Sequence, residues 1–538
     1  MRRARQLSQS NFLNNSKLSI ESKIRRAEAL LDQTKLDVDT VVEIDAMRKK
    51  SGRPSEISVR AMLVAMIVLA EDGALHLARV VRFLNSLDQP TLIRLGVRRN
   101  KPVTRRQVEH LFRVVMRAKK RVAANTGVTK YEVLDAMADK ALAASAHKDV
   151  KNSASIAIDG TTISSWGTNR RKKVVGKDGY TVIERVSSDP DAKYRGKSEY
   201  SWKRPVFGYD LTGAVSIPDL DGDDVPLAML SMRFRPATTT PTKMALSVAT
   251  SVATANGRLG DVLVDREYTL SVDGKDFLLP IRAMGGEPVF DLTEAQRGAR
   301  GTVRGAIVVD GHPFSPSLPK DLYNLVVPPV GATSEERRAY QEKVALRAKY
   351  ALKVVGSPKS DGRQIYMCPA AAGQVKCSLM APLRPVKRGT LPIFNTPSSV
   401  QPGSVCASAH TTFSALDLPL AQRDLYGSYQ WFKSYNRRNR VEGFFGNLKN
   451  EASENLRPGS IRVRGGLETG FLTMLFVMAT NFRLAERWDE RTPAKKAAKR
   501  RGRPRSQVMP EYLAVALSAG RSNGPPIISG KTDDDPMM

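Results

Sequence analysis

Apolar side chains recur at helical spacing across residues 1–150. Stretches 58–70 and 74–87 are rich in Ala, Leu, Met and Val in that rhythm and predict two helices. Thr104 followed by Gln107 makes a capping box ahead of "VEHLFRVVMRAKKR", so a further helix begins there. Arg105, Arg106, Arg113, Arg117, Lys119, Lys120 and Arg121 make it strongly basic, which suits either a DNA groove or a solvated helix face.

After Asn152 the period shortens. "SASIAIDGTTIS" alternates and predicts a strand that turns at Asp159 and Gly160, and "RPVFGYDLTGAVSIP" reads as a further strand pair. "TKMALSVATSVATANG" is an alanine-rich helix closed by a glycine, and "DVLVDREYT" holds a short buried strand. Strand, strand, helix, strand is the order of an α/β domain built on a mixed sheet. Residues 270–420 are rich in Pro and Gly, with β-like pieces ("GAIVVDG", "NLVVPPV", "YALKVVG", "RQIYMCP") and one helix near 335–348. A helix over 434–451 follows, then a buried one in "GLETGFLTMLFVMATNFRLAERW". The expected organisation is a helical DNA-binding or dimerisation region at 1–150 and an α/β core divided between 151–269 and 421–490. A β-rich insertion at 270–420 interrupts that core, and a basic, disordered tail at 491–538 ends the chain.

Charge narrows the function. Lys and Arg total 85 against 54 Asp and Glu, a formal net charge of +31 over 538 residues. Self-repulsion on that scale favours a polyanionic partner, and nucleic acid is the expected one. The apolar run at 471–480 is too short to span a bilayer, and no apolar segment follows the basic N-terminus, so neither a membrane span nor a secretory signal is read. Three cysteines fit a reducing cytoplasm better than a disulfide framework.

The acids supply the candidate chemistry. Asp159 and Asp265 each follow a buried strand, whereas Asp261 begins its strand and would point away from that end. The run "DLDGDD" at 219–224 fails as a calcium loop, because Leu230 stands where a bidentate glutamate is needed. On a helical wheel started at Tyr435, Arg438, Glu442, Gly446 and Lys449 share one stripe, beside an apolar arc of Val441, Phe444, Phe445 and Leu448. Gly443 and Gly446 each cost about 1 kcal/mol in a helix relative to alanine. Their place near a polar stripe points to a bulky partner close to the backbone; the alternative is a solvated face. Asp159, Asp265 and Glu442 together suit two Mg²⁺ ions about 3.5–4 Å apart, which activate a water or a 3′-hydroxyl for attack on a phosphodiester. Without metal, such carboxylates repel one another.

Tyr435-x2-Arg438-x3-Glu442-x6-Lys449 resembles, in all four residues and all three spacings, the Y-R-E-K signature of DDE-type cut-and-paste insertion-sequence transposases. "IDGTT" is similar to that family's first-aspartate motif and "VLVDREY" to its second, with a long β insertion before the glutamate. The resemblance covers roughly residues 150–490. It implies an RNase H-like (retroviral integrase-like) mixed-sheet core and a DNA transposase that performs metal-dependent cleavage and strand transfer at the ends of a transposable element. Asp159, Asp265 and Glu442 would bind two Mg²⁺ ions, with Mn²⁺ as a substitute, and Tyr435, Arg438 and Lys449 would contact transposon-end phosphates. The implied partners are double-stranded terminal inverted repeats and target DNA, held by a homodimer in the synaptic complex of a bacterial, nucleoid-associated protein. The family places a DNA-stacking tryptophan in its insertion, whereas Trp166, Trp202, Trp431 and Trp488 lie outside that segment. An RNase H-like nuclease without strand transfer, and a domesticated non-enzymatic DNA-binding protein, are the competing readings.

Two further patterns carry chemistry. Cys368, Cys377, Cys406 and His410 follow C-x8-C-x28-C-x3-H, an S₃N set that suits structural Zn²⁺, although such sites more often contain C-x2–4-C pairs. Three buried thiols in a β domain are the alternative. In the tail, "RGRP" resembles an AT-hook, since a flat Arg-Gly-Arg fits a narrow A·T minor groove. Arg501 and Arg503 are therefore further candidate DNA contacts, against a plain solvated basic tail.

Overall fold

The computed structural model describes residues 18–47, 55–98, 101–175, 181–195, 205–271, 273–329, 331–359, 362–383, 391, 393–394, 400 and 402–500. Helices come first: α1 (Ile20–Thr34), α2 (Leu36–Met47), α3 (Val59–Glu71), α4 (Leu77–Ser86), α5 (Gln89–Arg94), α6 (Arg105–Thr126) and α7 (Lys130–Ser145). Then follow β1 (Ile156–Ser164), β2 (Asn169–Val175), β3 (Thr181–Ser187), β4 (Lys193–Arg195), β5 (Val206–Ser216), β6 (Met229–Pro236), α8 (Pro241–Asn256) and β7 (Asp261–Val264). Next are α9 (Leu278–Ala283), β8 (Glu287–Phe290), β9 (Ala299–Val303), β10 (Ala306–Val309), β11 (His312–Phe314), α10 (Ser334–Ala348), β12 (Lys353–Val355), β13 (Gln364–Met367) and β14 (His410–Phe413). The chain closes on α11 (Tyr429–Tyr435), α12 (Asn439–Lys449) and α13 (Gly466–Arg500). The structure is mixed α/β and forms two compact units. One comprises the described parts of Met1–Leu259 and Gly443–Ala497, the other those of Gly260–Glu442 and Ala498–Met538.

In the first unit the helical expectations hold. Ser58 caps α3 by accepting from Ala61 N–H, and nearly every residue of α3 is buried. The Thr104–Gln107 capping box opens α6, which buries Val108, Leu111, Phe112, Val115 and Met116. The strands differ from expectation in one place that matters. β1 does not turn at Asp159 and Gly160 but continues antiparallel to β5, with Asp159 opposite Gly213 and Thr161 opposite Leu211. The β-branched Thr161, Thr162 and Ile163 keep the chain extended, so Asp159 lies within a strand rather than at its end. The expected strand pair at 204–218 is likewise the single strand β5, which also pairs antiparallel with β6 and, at its start, with β4. α8 ends as its glycine predicts, at Gly257 with φ 67°.

In the second unit β7 and β8 pair in parallel. The stretch expected to be β-rich forms two small antiparallel sheets, β11-β10-β9 and β12-β13-β14, and α10 begins at a Thr333–Glu336 capping box. The described part of "NLVVPPV", residues 324–329, forms no strand: Val326 is 80% exposed, and Pro328 and Pro329 have no N–H to offer a ladder. Phe314, Tyr350 and Phe394 centre one apolar cluster, with the Tyr350 and Phe394 rings stacked 4.4 Å apart. Among the described residues no helix is long and apolar enough to cross a membrane.

α13 is the organising helix of the first unit and runs on to Arg500, past the end expected at 490. Asn481, 1% exposed, locks it in place. Its amide accepts from Met229 N–H at 2.9 Å and donates to Met229 C=O at 3.0 Å and to Ser145 Oγ at 3.1 Å. Asn481→Leu removes the amide that serves both Met229 N–H and C=O in a buried setting, so unfolding should become easier by about 2–4 kcal/mol. Chemical denaturation of full-length protein checks this, and an unchanged midpoint would show that the latch is dispensable.

Candidate active site

In the second unit the site is built on β7. Val262, Leu263 and Val264 are fully buried, and the strand delivers Asp265 to the start of a 3₁₀ turn, where its Oδ1 accepts from Arg266 N–H at 2.7 Å. The parallel neighbour β8 holds α11 through one amide. Gln422 accepts from Phe290 N–H and donates to Phe290 C=O, each at 3.0 Å, and also accepts from the Trp431 indole N–H at 3.0 Å. Trp431 in turn stacks on Tyr435, with centroids 4.9 Å apart and planes inclined by 13°.

Asp261, at the other end of β7, is an anchor. Arg423 grips it with two bonds of 2.8 and 3.1 Å, and Arg437 donates to it as well. Burial opposes ionisation of Asp261, but hydrogen bonding and charge from the two arginines win and hold its carboxyl below the usual range.

Arg437 turns back to Asp261 with its Nε bonded to Ser434 C=O at 3.0 Å, and the chain does not run as the uninterrupted helix the wheel assumes. A 3₁₀ turn at Asn436–Arg438 separates α11 from α12. Tyr435 is buried against Trp431 rather than lying on an exposed stripe. Arg438, 7% exposed, lies between two acids. Its Nη1 is 2.7 Å from Glu442 Oε1 and its Nη2 is 3.5 Å from Asp265 Oδ2. Two of the three expected acids thus share one guanidinium. Hard oxygen donors of this kind suit Mg²⁺, and a cation already stands against both of them. Gly443 and Gly446 are exposed, and a Cβ on either would meet nothing within 4 Å.

In the first unit, Asp159 is half-buried on β1 and its Oδ1 accepts from Gly160 N–H at 2.7 Å. Lys449, at the end of α12, donates to Thr161 Oγ1, two residues along β1. This unit also presents cations that the sequence motifs did not single out. Trp166 follows β1, is 46% exposed, and carries the Arg462 guanidinium 5.5 Å over its ring. Burial lowers the pKa of Arg79, and Arg82 and Arg462 add to the shift, so these arginines crowd one patch. The signal for it was present in "RPGSIRVRGG", a basic loop that lacks any periodicity.

The expected zinc ligands do not assemble. Among the described residues no group of three or more His, Cys, Asp or Glu is arranged to hold a metal ion. Cys368 and Cys377 pack on the Phe314 cluster, Cys406 packs on a second cluster around Phe413, and His410 is exposed on β14. Burial, reinforced by the other two thiols, pushes Cys406 up to about 11. The three thiols thus feel one another, but with His410 they make no metal-holding group among the described residues. Arg501 and Arg503 lie outside the described residues.

Asp261→Asn should cost about 2–4 kcal/mol, since it leaves two guanidinium groups, one of them nearly buried, without their carboxylate. Because the folded-state pKa of Asp261 is depressed, its contribution is present above its unfolded value of about 3.9 and fades as pH falls through the lower folded value. The stability gap between wild type and variant should therefore be widest near neutrality and shrink below about pH 4. Thermal melts across that range measure it; a gap independent of pH would remove Asp261 as the ionised anchor.

No protein-family model and no curated protein matches the chain. Among solved structures, the chain is similar to a piggyBac transposase in a cryo-EM synaptic complex with hairpin DNA. The two are 10% identical over 94% of this chain and 81% of that one, with a TM-score of 0.34, a likeness too slight to bear on fold or activity.

Proposed function

We propose that the protein is a DNA transposase with an RNase H-like core, in which Asp159, Asp265 and Glu442 act together on DNA phosphodiesters. The observation behind this reading is the shared guanidinium. Asp265 and Arg438 stand 173 positions apart, yet the fold brings Asp265 and Glu442 to one cation. Like charges repel, so a fold gains nothing from gathering two carboxylates unless a cation or a reaction requires them. These are the same two acids that the Y-R-E-K spacing and the "VLVDREY" motif select. Asp159, Asp265 and Glu442 would hold the Mg²⁺ ions, which when bound activate a water or 3′-hydroxyl and neutralise the leaving oxygen.

The remaining roles belong to the chain. Arg266 N–H fixes the Asp265 carboxylate, and Lys449 beside Thr161 and Arg438 beside Glu442 are the groups that would take the phosphates flanking the scissile bond. The open space at Gly443 and Gly446 leaves room for the DNA backbone. On α6, Arg106, Arg113 and Arg117 are exposed and fall within an arc of roughly 40° at 100° per residue. Arg105 and Lys120, by contrast, are paired with Glu109 and Glu468. That row matches a sugar-phosphate backbone, and a homodimer holding two DNA ends is the expected working form.

Asp159→Asn, Asp265→Asn and Glu442→Gln should each lower Mg²⁺-dependent cleavage of transposon-end DNA by on the order of 10³-fold. Any one of the three cutting at the wild-type rate would remove that residue from the site. Joining of cut ends to target DNA separates a transposase from a nuclease. Replacing Arg106, Arg113 and Arg117 by alanine should flatten the log–log salt dependence of duplex binding by about 0.9 for each phosphate no longer neutralised; an unchanged slope would return α6 to a solvated face.

A further inference from the structure

Arg438 has a second consequence, which rests on the reading of Asp265 and Glu442 as metal ligands. We propose that Arg438 is the resident counter-ion of this acid pair, and that duplex DNA admits the divalent cation by drawing the guanidinium away. The geometry of the cluster carries this. The Arg438 side chain is 8% exposed, whereas those of Asp265 and Glu442 are 33% and 28% exposed. The cation therefore sits beneath, and the carboxylates open outward. Asp265 has both oxygens engaged, Oδ1 by Arg266 N–H and Oδ2 by Arg438. Glu442 offers Oε1 to the same guanidinium. A divalent ion brought to this pair meets a positive charge already using the same oxygens. At such separations in a partly buried setting two cations repel strongly, so they compete for the acids.

The residue type fits the task. A planar guanidinium reaches two carboxylates at once, which a lysine ammonium on a flexible stem does less well. The same fork binds phosphate in bidentate fashion, so a DNA phosphate competes with the acids for Arg438. Exchange of partners frees both carboxylates as the DNA arrives. By linkage, metal must then tighten DNA binding as much as DNA tightens metal binding. A site regulated in this way stays partly neutralised and metal-poor until substrate is present, which would suppress cutting at random.

The test is titration of full-length protein with Mn²⁺, following free Mn²⁺ by electron paramagnetic resonance, with and without a short duplex. Without DNA, Arg438→Gln should bind Mn²⁺ about tenfold more tightly than wild type, equivalent to ~1.4 kcal/mol. Duplex DNA should tighten Mn²⁺ binding by wild type and leave Arg438→Gln unchanged. Arg438→Lys, which keeps the charge and the buried stem, should fall between the two and guards against a variant that misfolds. Equal or weaker Mn²⁺ binding by both variants, or no effect of DNA on wild type, overturns the counter-ion role. In that case loss of Mn²⁺ affinity in Glu442→Gln and Asp265→Asn still upholds the acids as ligands. If those two variants bind Mn²⁺ as wild type does, the parent reading falls and the counter-ion falls with it.

Discussion

A guanidinium with under a tenth of its surface exposed must have partners, and Arg438 finds them in Glu442 and Asp265. That requirement fixes the second unit. Two carboxylates from distant segments are tolerable side by side because a positive charge lies against both. The charge in turn can be buried because both are there. The surrounding contacts keep the three groups in register. Asp261 ties Arg423 and Arg437 to the start of β7, and Gln422 spans from β8 to Trp431, on which Tyr435 stacks. Arginine anchors at one end of the strand thus aim the acid at the other.

The first unit solves a simpler problem. β1 and β5 form a long antiparallel ladder, β6 extends it, and α13 is locked to β6 and α7 by Asn481. This leaves Asp159 and Thr161 on a rigid strand, with Lys449 fastened to Thr161. Rigidity matters for the proposed chemistry, because a metal ligand on a paired strand has little freedom to drift.

Periodicity and caps made most helices legible. α3, α6 and α8 run from or to Ser58, Thr104 and Gly257 as expected, and α10 lies where a helix near 335–348 is expected, although its Thr333 cap is not read from the sequence. The strand errors have one cause. An Asp-Gly or Thr-Gly pair signals a turn only when the flanking residues do not find ladder partners. Here Asp159-Gly160 and Thr212-Gly213 face each other across β1 and β5, and both pairs stay extended. The wheel over 435–449 identified the buried face, since Val441, Phe444, Phe445 and Leu448 are all in the core. It missed the 3₁₀ turn at Asn436–Arg438, beside which Arg437 bonds to Asp261, a contact between segments far apart in the chain. Arg438 was legible as a cation near Glu442 but not as the cation of Asp265, which lies far from it in the chain. Cys368, Cys377 and Cys406 share residue types at loose spacing, and among the described residues they and His410 form no group arranged to hold a metal ion.

The central claim is that Asp265 and Glu442 form a cation-binding centre for phosphodiester chemistry, from which Arg438 withdraws when DNA is bound. A crystal structure of the full chain with transposon-end DNA and Mn²⁺, with the metal located by its anomalous scattering, tests it most directly. The account predicts an anomalous peak at coordination distance from both carboxylates, with the Arg438 guanidinium on a DNA phosphate. A complex with Arg438 still between Glu442 and Asp265, and Mn²⁺ bound elsewhere or not at all, would contradict it.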